Sequence, residues 1–227
     1  MNFIFLRHSV YEQPTHVPSA LLPHPITDEG IAQAKAGAQK IVFYFEGKKT
    51  QFPKYIECSS LLRAYQTAVV IAEEIFRLTS VELKIIQTDE LVERKLGAMA
   101  NLTVGEIETI MEKDPRYQKP EEGWKSSSDY CLPYLGCESL HEAGERVANY
   151  IQSIPDFVEN DVLGYRLLIG HGASFRHACH QLGLLSASDI AKLSMFYAEP
   201  LFFDYREKTW SHVGGDWKVR TQKDKID

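Results

Sequence analysis

Two short apolar runs in this 227-residue chain stop abruptly at a histidine: Leu6-Arg7-His8-Ser9 and Ile169-Gly170-His171-Gly172. Small or turn-forming residues follow each one. Read as strands, the runs put two imidazoles at strand carboxyl ends, where open α/β sheets place their ligands. Arg7 beside the first imidazole implies an anion, because a planar guanidinium donates to two oxygens at once. Two further strand ends add to the set. Ser59-Ser60-Leu61-Leu62-Arg63-Ala64-Tyr65-Gln66-Thr67-Ala68 follows the second strand, and Glu93-Arg94-Lys95-Leu96-Gly97 follows the third. Helices opening after Ser60 and after Gly172 would contribute free N–H groups and positive potential. Imidazoles, guanidiniums, a carboxylate and helix N-termini along one sheet edge are the parts of a phosphoryl-transfer site.

The elements that must position these groups are readable from apolar spacing. Residues 2–7 read as a buried strand, and 8–26 as a long loop carrying Pro14, Pro18, Pro23 and Pro25. Thr27 is a fitting N-cap for a helix to about Phe45, with Asp28 and Glu29 in its first turn. Strand 55–58, a helix over 61–78 capped by Ser59-Ser60, and strand 83–86 come next. Helices are expected at 102–113, 138–158, 173–183 and 187–195, with strands at 165–169, 200–205, 209–213 and 216–220. Strands alternating with helices predict an α/β fold, a three-layer α/β/α sandwich around a mostly parallel sheet. The length suits a single domain over 1–220, with 98–137 inserted as a cap or lid and 221–227 as a polar tail.

A net charge of −6 and a pI near 5.8 argue against nucleic-acid binding as a main role. An anionic ligand therefore needs a local basic pocket. No apolar run has the length of a membrane span, and the short N-terminal run enters Arg7 without a basic start, so it reads as a core strand. Four cysteines without a CxxC pair suit a reduced, cytoplasmic protein, with a Cys131–Cys137 bridge as the alternative. On a helix His177, Cys179 and His180 point in different directions, so no metal site is expected there. Nothing in the sequence sets the oligomeric state.

Arg7-His8, the Ser59–Ala68 block, Glu93-Arg94 before Gly97, Gly136-Cys137-Glu138-Ser139 and His171-Gly172 together resemble the histidine phosphatase superfamily, the phosphoglycerate mutase-like group, over roughly residues 3–212. The resemblance implies that fold and assigns roles. His8 would become a phosphohistidine, Arg7 and Arg63 would clamp the phosphate, His171 would contact the phosphoryl oxygens, and Glu93 would donate the proton. The chemistry is consistent: a neutral imidazole is nucleophilic near pH 7, and two guanidiniums with a second imidazole stabilise the spread charge of the transition state without a metal or other cofactor. Asp89, Glu90 and Glu12 compete with Glu93 for the acid role.

The chain also departs from the resemblance. Ser9 stands where glycine commonly follows the histidine, and Val10-Tyr11-Glu12-Gln13-Pro14 lacks the mutases' tryptophan-asparagine pair. No tyrosine precedes Gly97, and Arg116 is single where mutases offer a pair. The expectation is a metal-independent phosphomonoesterase acting on a small phosphorylated metabolite or a phosphoprotein. A phosphoglycerate or phosphosugar mutase and a non-catalytic phospho-ligand-binding module are the alternatives. Ser9, Arg94 and Arg116 are candidate substrate contacts, while Arg176 reads as structural. The aromatics and bases of 98–137, among them Trp124, Lys125, Tyr130 and Tyr134, suit either a substrate lid or a cap packed inward.

Overall fold

The computed structural model describes residues 2–18, 20–48, 52–154 and 164–221. In chain order it runs β1 (Asn2–Arg7), α1 (Asp28–Phe45), β2 (Tyr55–Ser59), α2 (Leu62–Thr79), β3 (Lys84–Thr88), α3 (Val104–Lys113) and α4 (Leu140–Ser153). Then come β4 (Tyr165–Gly170), α5 (Gly172–Gln181), α6 (Ala187–Lys192), β5 (Leu193–Ser194), β6 (Pro200–Arg206), β7 (Thr209–Gly214) and β8 (Lys218–Val219).

Period-two alternation organises the main sheet. Ile4 and Leu6 of β1 face the core under α1 and α2, while Phe3 and Phe5 face the core under α4 and α5. Strand order is β3-β2-β4-β1-β6-β7, with the first four parallel, β6 antiparallel to β1 and β7 antiparallel to β6. Helices on both faces make the three-layer α/β/α sandwich. Parallel pairing of β1 with β4 opposes Arg7 to Gly170, so both strands end together and deliver His8 and His171 side by side. Phe5 stacks on Phe175 of α5 with centroids 5.1 Å apart. That pair adds about 0.5–1.5 kcal/mol beyond area burial and ties the helix after His171 to the strand before His8.

Thr27 caps α1 through Gly30 N, as its side chain predicts. Ser59 and Ser60 do not cap α2. Leu61 is its N-cap with no side-chain bond, because Ser59 Oγ is held by His171 and Ser60 donates to Asp89. The expected 138–158 helix begins with Ser139 as N-cap, in a capping box with Glu142, and is helical to Ser153; residues 155–158 lie outside the described residues, as does 222–227 of the expected tail. The expected 187–195 helix stops at Lys192. Leu193 and Ser194 instead pair antiparallel with Val219 and Lys218, so the expected 216–220 strand leaves the β6–β7 hairpin for a separate two-stranded sheet. The Leu193 carbonyl is claimed by Arg176, which favours ending the helix before it.

Residues 97–136 leave the sandwich and return to it. Leu96 bridges Cys137, and Ala98 N donates to Leu135 O at 3.0 Å. Gly97 sits at this neck with φ +46°, and a Cβ there would fall 2.1 Å from Leu135 O. Only glycine closes the crossing. The excursion has its own small core of Leu96, Met99, Ile107, Met111, Trp124 and Leu132, with Tyr117, Tyr130 and Tyr134 packed against it. Its aromatics therefore point inward. Among the described residues, no helix is long and apolar enough to cross a membrane.

Candidate active site

His8 and His171 are fully buried, with ring centroids 5.0 Å apart. The geometry fixes both tautomers. His8 Nδ1–H donates to the carbonyl of Ser9 at 2.7 Å, which leaves the Nε2 lone pair to accept from Arg63 Nε at 3.3 Å. His171 Nδ1 accepts from Arg63 NH2 at 3.2 Å, so its proton is on Nε2 and is donated to Ser59 Oγ at 2.8 Å. One guanidinium thus faces a lone pair on each ring. Burial first, and then the charges of Arg63 and Arg7, hold the His8 pKa well below the usual histidine value. The same burial and Arg63 hold His171 well below it as well. Both rings are neutral at pH 7, and a neutral imidazole is a nucleophile through its unprotonated nitrogen, which on His8 is Nε2.

Arg63 is oriented by the long loop. Its NH1 donates to Leu22 O and its NH2 to Ala20 O, each at 3.0 Å, and its guanidinium lies 4.7 Å from the centre of the Tyr11 ring. The loop is pinned at its base by Glu12 N to Pro25 O and Thr27 N to Val10 O. Arg7 comes from the other side. Its NH2 donates to Tyr197 OH at 2.8 Å, and its guanidinium stacks 3.8 Å from that ring's centre. Its Nε is buried without a partner, a donor left for a ligand anion. Gly172 makes room here, since a Cβ would come within 3.2 Å of Arg7 Cδ. Ser9 is buried, with Oγ 3.2 Å from Thr67 Oγ1 on α2 and its N–H donating to the same hydroxyl. Its side chain braces the turn after His8 against α2.

Glu93 reaches the N-terminus of α5. Oε1 accepts from Ser174 N at 2.9 Å and from Arg94 N at 3.0 Å, and Oε2 accepts from Ala173 N at 3.2 Å. It lies close enough to Arg63, Arg94 and Arg176 to favour the charged form of each. The segment carrying it is clamped by Arg146, which donates to Val92 O and Glu93 O and pairs with Glu138. Asp89 is engaged by Ser60, and Glu12 and Glu90 are exposed. Arg94 is buried and points into a cavity shared with Glu93 and Arg176.

Arg116 is not brought to this site. Its Nε and NH2 donate to the two carboxylate oxygens of Asp114, at 2.9 and 2.7 Å, within the cap. Arg176, read from sequence as structural, lines the cavity while its NH1 binds Leu193 O. His177 and His180 are spent on backbone and hydroxyl partners, and Cys179 is in the core. No group of three or more His, Cys, Asp or Glu among the described residues could hold a metal ion. Cys131 and Cys137 are free thiols. Sequence reasoning missed Ser59 as the partner of His171, Thr67 as the brace of Ser9, and Tyr197. Thr67 stands in the quoted block four residues after Arg63, one turn along the same helix, and that spacing could have flagged it. Tyr197 carries no local signal.

A doubly flanked, mostly parallel sheet with two facing imidazoles and an arginine between them at its carboxyl edge defines a class of phosphoryl-handling fold. The chain belongs to the histidine phosphatase superfamily (branch 1), whose family model matches residues 3–216. It is 29% identical over 206 residues to 2,3-bisphosphoglycerate-dependent phosphoglycerate mutase 2 of Lactobacillus johnsonii, covering 80% of this chain and 81% of that protein. Among solved structures it is similar to mycobacterial glucosyl-3-phosphoglycerate phosphatase at 22% identity and TM-score 0.65, covering 93% of this chain and 96% of that one. The α-ribazole phosphatase of Shigella flexneri is similar at 17% identity and TM-score 0.69, covering 94% and 95%. Phosphatases and mutases thus both stand among its neighbours.

Proposed function

We propose that the protein is a phosphomonoesterase working through a phosphohistidine at His8 Nε2, on a small phosphorylated substrate. One observation carries the reading: the Ser9 carbonyl fixes the His8 tautomer, so that the Nε2 lone pair faces Arg63 with the second imidazole alongside. The substrate binds as its monoanion and passes its proton to the Glu93 carboxylate; Nε2 then attacks phosphorus, the ester P–O bond breaks, and the departing oxygen takes that proton from Glu93. Water then attacks the phosphoenzyme, its proton goes to Glu93, and the P–N bond breaks to release phosphate. Arg7 Nε and Arg63 stabilise the equatorial oxygens. A phosphoryl dianion between the rings favours a proton on His171 Nδ1, which turns that atom from acceptor to donor.

The mutase relatives favour a second reading, in which the phosphoryl group returns to another substrate hydroxyl instead of to water. Arg116, the basic residue that reading would draw on, is engaged by Asp114. Brief incubation with a labelled phosphomonoester tests the proposal. Label is expected on His8, chasing to inorganic phosphate, and absent in His8→Ala. Label that survives in His8→Ala refutes the mechanism. Conversion of 3-phosphoglycerate to 2-phosphoglycerate in place of phosphate release establishes the mutase, and binding without turnover or label establishes a binding module.

A further inference from the structure

The turn that enters β6 runs beside the end of β1. Tyr197 bridges Arg7 in parallel, and Ala198 N donates to Arg7 O at 2.9 Å. Ala198 takes the left-handed backbone, with φ +53°, a conformation that strains an alanine. Its carbonyl abuts α1, where a Cβ on Gly37 would fall 2.2 Å from it. The turn that aims Tyr197 is thus held from both sides, by the Arg7 carbonyl and by the glycine of α1. Strain kept in place by its surroundings points to a side chain whose direction matters.

That side chain holds both the face and one end of the Arg7 guanidinium. Arg7 NH2 donates to Tyr197 OH at 2.8 Å, NH1 donates to Met195 O at 3.3 Å, and the phenol ring lies 3.8 Å away, centre to carbon. Both acceptors are neutral. Among the described residues Arg7 forms no ion pair, so no carboxylate offsets its charge. An acid in place of the phenol would hold the guanidinium equally well but would compete with a ligand anion. A planar fork fixed at both terminal nitrogens cannot turn, and Nε, buried without a partner, is the donor left over. The Tyr197 and His8 rings are 5.7 Å apart, which sets this donor beside the nucleophile.

We propose that Tyr197 is a positioning residue for phosphoryl transfer: its hydroxyl, acting through Arg7, presents Arg7 Nε to an equatorial phosphoryl oxygen without pairing the guanidinium charge. The role rests on the phosphatase reading only for the reaction it serves. No bond to Tyr197 forms or breaks. The contribution is greatest in the transition state, where charge spreads over the equatorial oxygens, and smaller for bound phosphate.

Calorimetric titration of the full chain with orthovanadate and with inorganic phosphate tests this, alongside kcat/KM for nitrophenyl phosphate. Vanadate on a nucleophile adopts the five-coordinate geometry of transfer. Tyr197→Phe keeps the stacked ring and removes only the hydroxyl. Vanadate affinity and kcat/KM are expected to fall together on the order of tenfold, the scale of one hydrogen bond to a charged group. Phosphate affinity should fall only about twofold. In an Arg7→Lys background the ammonium has no Nε to aim, so the same substitution should cost vanadate less than about twofold. Unchanged vanadate affinity in Tyr197→Phe, or no vanadate binding by the unaltered chain, overturns the proposal. Equal losses for vanadate and phosphate overturn it too, since a merely structural role weakens both alike. So does a full loss in the Arg7→Lys background, where the hydroxyl has no Nε to act through. Because vanadate binding needs no turnover, the expected affinities without release of phosphate from any ester refute the phosphatase reading and leave the positioning role standing.

Discussion

Glu93→Gln separates what the carboxylate does for the fold from what it does for the reaction. The carboxylate accepts three amide N–H bonds, from Ser174, Arg94 and Ala173, at 2.9, 3.0 and 3.2 Å. Glutamine can keep its one oxygen where Oε1 stands and retain the first two. Its NH2 then meets the Ala173 N–H, donor against donor. One charge-assisted bond is lost, together with the negative charge at the α5 N-terminus, for about 1.5–3 kcal/mol of stability. Urea unfolding should show that loss as a lower midpoint at constant slope. Catalysis is read from kcat/KM, which reports transfer to His8 and excludes the later hydrolysis common to all substrates. For alkyl phosphates, whose leaving oxygen needs a proton, kcat/KM should fall about 10²–10⁴-fold. For nitrophenyl phosphate, which leaves without help, the fall should stay within about tenfold, and a burst should appear as the phosphoenzyme accumulates. A destabilised fold would depress both substrates alike, so the ratio isolates the chemistry. Equal losses for both substrates, or no burst, would remove Glu93 from the acid–base role.

Two further outcomes follow from burial and close packing. The pKa values of His8 and His171 are lowered in the folded state, so the unfolded chain binds more protons and stability is present above pH 6.5 and lost as pH falls below it. Each ring should contribute about 1.4 kcal/mol per pH unit in that window, measured by urea unfolding from pH 7 down to 5, and His171→Asn should flatten the slope by one such share; an unchanged slope contradicts the assignment. At Gly144, where α4 crosses α5, a Cβ would sit 2.4 Å from His177 Cβ and 2.7 Å from its carbonyl carbon. Gly144→Ala should therefore cost about 1–3 kcal/mol and lower Tm, and an unaltered Tm would show that the helices separate freely.

The strands that end at His8 and His171 are legible because local apolar runs fix their extent, and a histidine after an apolar run marks the stop. The Arg63 block is legible because its spacing is long and specific. Thr27 as an N-cap is legible because capping depends on neighbours three residues away. The same local logic fails at Ser59, a good cap by type, because His171 from another strand takes its hydroxyl. It fails again for the cap segment. Aromatics and bases there read equally as a substrate lid or an inward pack, and only the closure at Gly97 turns the rings inside.

By itself the sequence determined which elements form and which chemical groups stand at their ends, since periodicity and capping act within a few residues. Tertiary structure alone decided which groups meet. Tyr197 lies 190 residues from the Arg7 it holds, and Arg176 faces Glu93 because α5 packs against the loop after β3. Side-chain direction towards a site is set by register and packing between distant segments, and no local pattern encodes it.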